Sequence, residues 1–251
     1  MKALIGAAMM VALAVSGSSS QTPTRAPVLV ELYTSEGCSS CPPADALLAA
    51  LQHDQPITGA EIVPIGFHVD YFNNLGWKDA FSSASFTARQ EDYSVIFGPD
   101  SVFTPQIIVD GRTPLVGSDS AGVRHAIASA AGLPHLSVHL EARASADTLR
   151  MTINLPAAPP ETEKIQVTAA ITEDGLTSVV NRGENRGRTL HHVAVARKLQ
   201  SVGSLSREAA VVEERLQIGQ GWRPESLKAV VWLQGTKSRH VYGAAVAAIV
   251  R

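Results

Sequence analysis

Cysteine is both the rarest and the most reactive side chain in this sequence. It occurs twice, at Cys38 and Cys41, spaced as Cys-Ser-Ser-Cys and followed by Pro42-Pro43. A structural disulfide works mainly by closing a loop, and a loop this short restrains the unfolded chain little. Two thiolates fill half of a tetrahedral zinc site, and there is no second cysteine pair to complete one. Thiol–disulfide exchange is the chemistry that suits the spacing, with Cys38 as nucleophile and Cys41 as the thiol that resolves the mixed disulfide. Exchange needs a thiolate, which a helix N-terminus favours through its dipole and free N–H groups. Lying ahead of the first helical turn, Cys38 is expected to be the more exposed and more acidic of the two.

The surrounding elements meet that requirement. Residues 28–33 form a short apolar strand, and the Ala- and Leu-rich residues 44–51 form a helix, with Pro42 and Pro43 confined to its first turn. The cysteines therefore open a helix that follows a strand, a far more specific context than the spacing alone. Residues 62–69 read as a second strand despite Pro64, and residues 86–93 as a helix. Thr104-Pro105 leads into a strand and turn over 106–112, a partner strand at 115–117 and a closing helix over 120–131. His68 and Asp70 share one face of a strand end beside a loop containing Trp77. That loop reads as a rim over the cysteines or as a polar edge capped by a buried Trp77, and a metal reading would recruit His68 and Asp70 beside the cysteines.

The second half has a different texture. Seven strand-like runs, at 136–144, 148–155, 164–172, 190–199, 211–218, 227–233 and 241–249, predict an antiparallel, sandwich-like all-β domain. Charge changes at the same place: residues 21–135 carry five basic against twelve acidic side chains, and residues 136–251 carry fifteen against eleven. The predicted organisation is an α/β domain over 26–135 and a β domain over 136–251. The basic loop at 182–188 either faces solvent or docks on the acidic half. His191 and His192 alternate in direction along a strand, which makes them a poor chelating pair.

Residues 3–15 are apolar, preceded by Lys2 and followed by small polar residues, which predicts a signal peptide over 1–20. The run is too short for a membrane span, which needs ~20 residues. Export to a periplasm or beyond, without stable membrane insertion, is the expected location. A net charge of −2 argues against nucleic-acid binding. Phosphate-binding glycine loops, nucleophile elbows and zinc-protease motifs are absent from the sequence.

Residues 28–33 leading into Cys38-Ser39-Ser40-Cys41 resemble the first strand and active-site turn of the thioredoxin superfamily, and the order of elements to residue 131 is that of the superfamily. More narrowly, residues 31–45, 67–71, 75–79 and 183–188 resemble a bacterial family of secreted proteins called domain of unknown function 1223. The resemblance implies an α/β thioredoxin-like domain followed by the all-β domain. It implies a cis Thr104–Pro105 bond packed against the cysteines; Thr104, Pro105, Ser39 and Ser40 are candidate substrate-binding residues, joined by Trp77 where its loop, an insertion that thioredoxin lacks, forms a rim. It also puts Glu31 near the position of a buried acid that serves the second cysteine, so Glu31 is a candidate general base for Cys41. The implied partners are protein or small-molecule thiols and disulfides together with a redox donor of unknown identity; neither a cofactor nor a resident metal is expected. Two other readings stay open, a copper-binding or copper-delivery protein and a scaffold that binds without turnover. The Ser-Ser dipeptide between the cysteines and the lack of a Trp before Cys38 depart from thioredoxin, so its reduction potential does not carry over.

Overall fold

The computed structural model describes residues 25–160 and 162–250; the expected signal peptide lies outside them. The first half runs β1 (Ala26–Thr34), α1 (Pro42–Asp54), β2 (Ala60–His68), α2 (Ala84–Phe97), β3 (Gln106–Val109), β4 (Thr113–Val116) and α3 (Ser120–Ala131). The second half is built from β5 (His139–Ser145), β6 (Thr148–Leu155), β7 (Ile165–Glu173), β8 (Leu176–Val179), β9 (Thr189–His192), β10 (Val195–Ser204), β11 (Ala210–Gln217), β12 (Leu227–Gly235) and β13 (Val241–Ala248). The elements expected in the first half are all present, with ends moved by a few residues.

The halves share one sheet. Its order is β13-β12-β7-β10-β2-β1-β3-β4, so four strands from the second half continue a sheet begun by the first. β1 and β2 are parallel, while β3 runs antiparallel to both β1 and β4. A second sheet, β11-β6-β5, and a hairpin, β8-β9, complete the fold. The result is a mixed α/β architecture around a large mixed sheet. The sandwich expected over 136–251 is present as packing, because β5, β6 and β11 cover one face of β7 and β12 around Met151, Ile153, Val167 and Val231. It is not a free-standing sheet system. The other face of β7 and β12 is covered by α2, in a core that joins Leu29 and Phe67 to Ala170 and Trp232. The sign of this is in the strands themselves: β7 and β12 are buried almost throughout rather than at alternate residues, so they need cover on both faces. On the face opposite α2, helices α1 and α3 pack over Val28, Val30 and Leu32.

The edge of β2 explains Pro64. N–H groups of alternate residues point to the same side of a strand. On the side away from β1, Ile62 N–H donates to the Gln55 side chain at 2.8 Å and Gly66 N–H to the Ala194 carbonyl at 2.8 Å. Pro64 falls between them, where no strand needs its donor. The run read as one strand over 190–199 is broken here, because Ala194 takes a left-handed φ of 49°. β9 therefore leaves the sheet as part of a hairpin and β10 enters it.

One buried charge pair ties the layers together. Arg89 of α2 donates to Glu31 at 2.6 Å and to Gln234 of β12 at 3.1 Å, and its guanidinium stacks 4.8 Å from the Trp232 ring. Tyr93 also donates to Glu31, at 2.6 Å. Removing one member of such a pair strands a buried charge, at a cost of about 3–5 kcal/mol. Glu31→Ala is therefore expected to lose stability on that scale in urea unfolding; a loss below about 1 kcal/mol would mean that the pair is not a structural tie.

Candidate functional site

The chain leaves β1 through Ser35-Glu36-Gly37, turns through Cys38-Ser39-Ser40-Cys41 and enters α1. Cys41 is the N-cap residue with helical φ and ψ of −76° and −36°, and Pro42 and Pro43 occupy the next positions. The cysteines form a disulfide with a Cα–Cα distance of 5.4 Å. The donors expected at this helix end are scarce: the two prolines have no N–H, and Ala44 and Asp45 N–H both go to the Cys41 carbonyl. Exposure differs from expectation too. Cys38 is 2% and Cys41 0% accessible, while Ser39 and Ser40 are the exposed part of the turn.

The second half docks on the cysteine turn. The 182–188 loop joins β8 to β9, and its Asn185, wholly buried, donates to the carbonyls of Glu36 and Cys38, both at 2.9 Å. Glu184 accepts from Ser39 N–H at 2.9 Å, and these bonds from Ser39 hold its carboxyl below the usual range. Of the two alternatives for this loop, docking is what occurs. Gly183, at φ +74°, passes so close to Trp77 that an added Cβ would lie 3.1 Å from the Trp77 Cβ. Trp77 in turn donates its indole N–H to Glu36 at 2.7 Å. It is a half-buried wall between the cysteine turn and the loop.

Behind the disulfide lies a cluster of ionisable groups. His192, at the end of β9, places Nε2 3.4 Å from Glu36 Oε1 and Nδ1 4.0 Å from Asp45 Oδ2. The imidazole packs edge-on to His68 at 4.7 Å between ring centres, and His68 Nδ1 lies 2.7 Å from Asp79 Oδ2. Asp79 also accepts from Glu36 N–H at 2.9 Å. Burial alone would raise the carboxyls of Glu36 and Asp79. Polar contacts from His192, Ser178 and Trp77 to Glu36, and from His68 to Asp79, outweigh it and hold both below the usual range. Asp45 goes the other way: burial outweighs the pull of His192 and of the Thr34 hydroxyl and pushes its carboxyl up to about 7. Asp45 is four residues beyond Cys41 on the same helix, so their Cβ atoms are neighbours, about 5–6 Å apart.

The candidate base named from sequence is not at this site. Glu31 faces α2 with Leu29 and Tyr33, whereas α1 packs on the opposite face, and its carboxylate is held by Arg89, Tyr33 and Tyr93. Sequence reasoning missed Asp45, Glu36 and His192. The helical spacing from Cys41 to Asp45 was the available signal for the first; none marked His192, whose strand packs on α1 only in three dimensions. Asp70 turns from His68 to accept from Thr87 at 2.6 Å. The Thr104–Pro105 bond is cis. Pro105 approaches the first turn of α1 across Gly117, where an added Cβ would lie 2.9 Å from Ala44 Cβ and 3.0 Å from Pro105 Cβ. Among the described residues no group of three or more His, Cys, Asp or Glu is arranged to hold a metal ion, and no helix is long and apolar enough to cross a membrane.

The fold and the cysteine turn define a mixed α/β protein with a covered Cys-Ser-Ser-Cys disulfide. The chain belongs to the family of proteins of unknown function DUF1223, whose model matches residues 29–234. It is similar to a protein of Agrobacterium tumefaciens known from an X-ray structure, with 28% identity and a TM-score of 0.67 over 88% of this chain and 94% of that one. It also shares its fold with HBP35 of Porphyromonas gingivalis, with 12% identity and a TM-score of 0.63 over 90% of this chain and 76% of that one. No curated protein matches the sequence.

Two outcomes follow from this geometry. Asn185→Ala removes two hydrogen bonds worth about 1 kcal/mol each, so reduction of the disulfide by dithiothreitol should quicken by roughly 30-fold; an unchanged rate would mean that the loop does not limit access. Between pH ~4 and 7 the folded protein keeps a proton on Asp45 that the unfolded chain has lost, so this group makes stability fall as pH rises through that window. Asp45→Asn should thus gain more over the parent in urea at pH 8 than at pH 5, and equal differences at both pH values would contradict the raised carboxyl.

Proposed function

We propose that this protein is an exported thiol–disulfide oxidoreductase of thioredoxin-like build, with Cys38 as nucleophile and Cys41 as resolving thiol. The observation that carries the reading is Asp45, a buried carboxyl raised to about 7, one helical turn from Cys41 in the strand-to-helix turn that holds the disulfide. A general base works best when its pKa lies near the working pH. The thioredoxin-like part is supported by the run of elements from β1 to α3 and by α1 and α3 lying on one face with α2 on the other. Export is supported by the apolar segment at 3–15 and by the disulfide, since such bonds persist in oxidising compartments.

In the reducing direction, the Cys38 thiolate attacks one sulfur of a substrate disulfide, forming a mixed disulfide and releasing one thiolate. Cys41 gives its proton to the Asp45 carboxylate, and its sulfur attacks Cys38 Sγ. The Cys38–Cys41 bond forms, the second substrate thiolate leaves, and two electrons have passed from the dithiol to the substrate. Protein or small-molecule disulfides are suitable substrates, and an external dithiol must regenerate the reduced pair. His192 and Glu36 stand behind Asp45 as positioning groups that set its charge. Ser39 and Ser40 of the turn, with Thr104, Pro105 and Trp77, are assigned as the substrate-contacting set.

A redox titration of the purified protein with thiol trapping tests the reading, and a reversible two-electron transition is expected. Cys41→Ser should accumulate the mixed disulfide on Cys38. Asp45→Asn should slow resolution by about 10²-fold and remove the rise in rate through pH ~7. A pair that neither reduces nor reoxidises with disulfide substrates would reject the proposal.

A further inference from the structure

The 182–188 loop carries Arg182, Arg186 and Arg188, all exposed and with side chains that make no hydrogen bond or ion pair among the described residues. An exposed basic loop is ordinarily just solvated. This one is held in place: Asn185 is pinned under it by two 2.9 Å hydrogen bonds to the cysteine turn. The loop is also closed on itself, with Gly187 N–H donating to the Val180 carbonyl at 2.8 Å and Arg188 N–H to the Asn185 carbonyl at 3.0 Å. Lys78, exposed and likewise unpaired among the described residues, follows Trp77 on the neighbouring loop. The loop backbone that carries the three arginines is therefore held against the cysteine turn.

In the same loop Glu184 places its carboxylate 2.9 Å from the N–H of Ser39, which lies between the two cysteines in sequence. The bond is exposed, so a solute can compete for it. We propose that Glu184 occupies the place of a substrate carboxylate, and that the protein exchanges with carboxylate-bearing disulfides. Such a substrate takes the Ser39 N–H in place of Glu184, is neutralised by Arg182, Arg186 and Arg188, and loosens the loop that shields Cys38. This inference rests on the oxidoreductase reading and names its substrate class. Acids near the site do not cancel the attraction: Glu36 and Asp79 are buried and Asp45 is largely so, and they face His192 or His68. Steering by a fixed charge cluster raises association rates by 10-fold or more and is lost as salt rises.

The test uses the full exported chain, reduced with dithiothreitol and freed of it, and three disulfides of similar length. Dithiodipropionate is anionic, hydroxyethyl disulfide neutral and cystamine cationic. Oxidation of the Cys38–Cys41 pair is followed by thiol trapping at low salt and at about 0.5 M salt, where charges are screened beyond a few Å. The expected order is anionic, neutral, cationic, with roughly 10-fold between the first two at low salt and a ratio that shrinks in salt. Arg182→Gln, Arg186→Gln and Arg188→Gln together should bring that ratio toward one, and Glu184→Gln should increase it. Should the triple variant fold poorly, the salt dependence of the parent protein decides. A second arm compares a peptide disulfide flanked by glutamates with one flanked by glutamines. Preference there alone identifies an acidic protein segment as the source; preference among the small disulfides alone identifies a small acid. Equal rates for all charges in both arms overturn the proposal while leaving the redox reading intact, whereas no reaction with any disulfide defeats the redox reading itself.

Discussion

The junction of β2 and β10 is a slender contact on which much of this molecule depends. Its register pairs Val195 with Gly66, and the Gly66 N–H reaches the Ala194 carbonyl. Elsewhere on that edge Gln55 caps Ile62 and Pro64 has no donor to offer. The edge therefore accepts a neighbour at one place. The second half is attached there, and the left-handed turn at Ala194 sends the β8-β9 hairpin out of the sheet toward α1. The same constraint carries His192 behind the disulfide and the 182–188 loop over it.

The polar cluster that results is costly to bury, and its members offset one another's cost. Charged side chains leave water only when paired and hydrogen-bonded. Asp79 satisfies this with His68 and the Glu36 N–H; Glu36 does so with Trp77 and the nearby His192. Asp45 has the poorest partner, an imidazole nitrogen at 4.0 Å, and accordingly holds its proton into the neutral range. The group left least compensated by the packing is also the one closest in sequence to the second cysteine. The buried Glu31, by contrast, has close partners in Arg89 and two tyrosines.

The cysteine turn differs in kind from a bare helix N-terminus. Two prolines remove donors that would stabilise a thiolate, and the exposed surface of the turn is the two serines rather than sulfur. Its neighbours in space are the carboxyl one turn along α1, the histidine of β9 and the loop that caps Glu36 and Cys38. Removing the second half would strip the cysteine turn of the Asn185 contacts and Asp45 of His192.

Sequence alone determined what local physics controls. The strand at 28–33, the Pro-Pro start of α1, the Ala- and Leu-rich helix and the Thr104-Pro105 turn are each written in residues a few positions apart, and so is the spacing of Cys41 to Asp45. The β character of the second half was equally legible from its apolar runs. Which strands share a sheet was not, because β7 and β12 are apolar on both faces and their periodicity names no partner. Nor could periodicity tell which way Glu31 faces, since alternation along β1 fixes two faces without saying which one α1 will cover. Tertiary structure decided that Glu31 pairs with Arg89 58 residues away, that His192 meets Glu36 and Asp45, and that Asn185 closes over a cysteine 147 residues earlier in the chain. Those contacts arise from burial and long-range pairing, whose energies depend on everything that excludes water from them, and no short stretch of sequence carries that information.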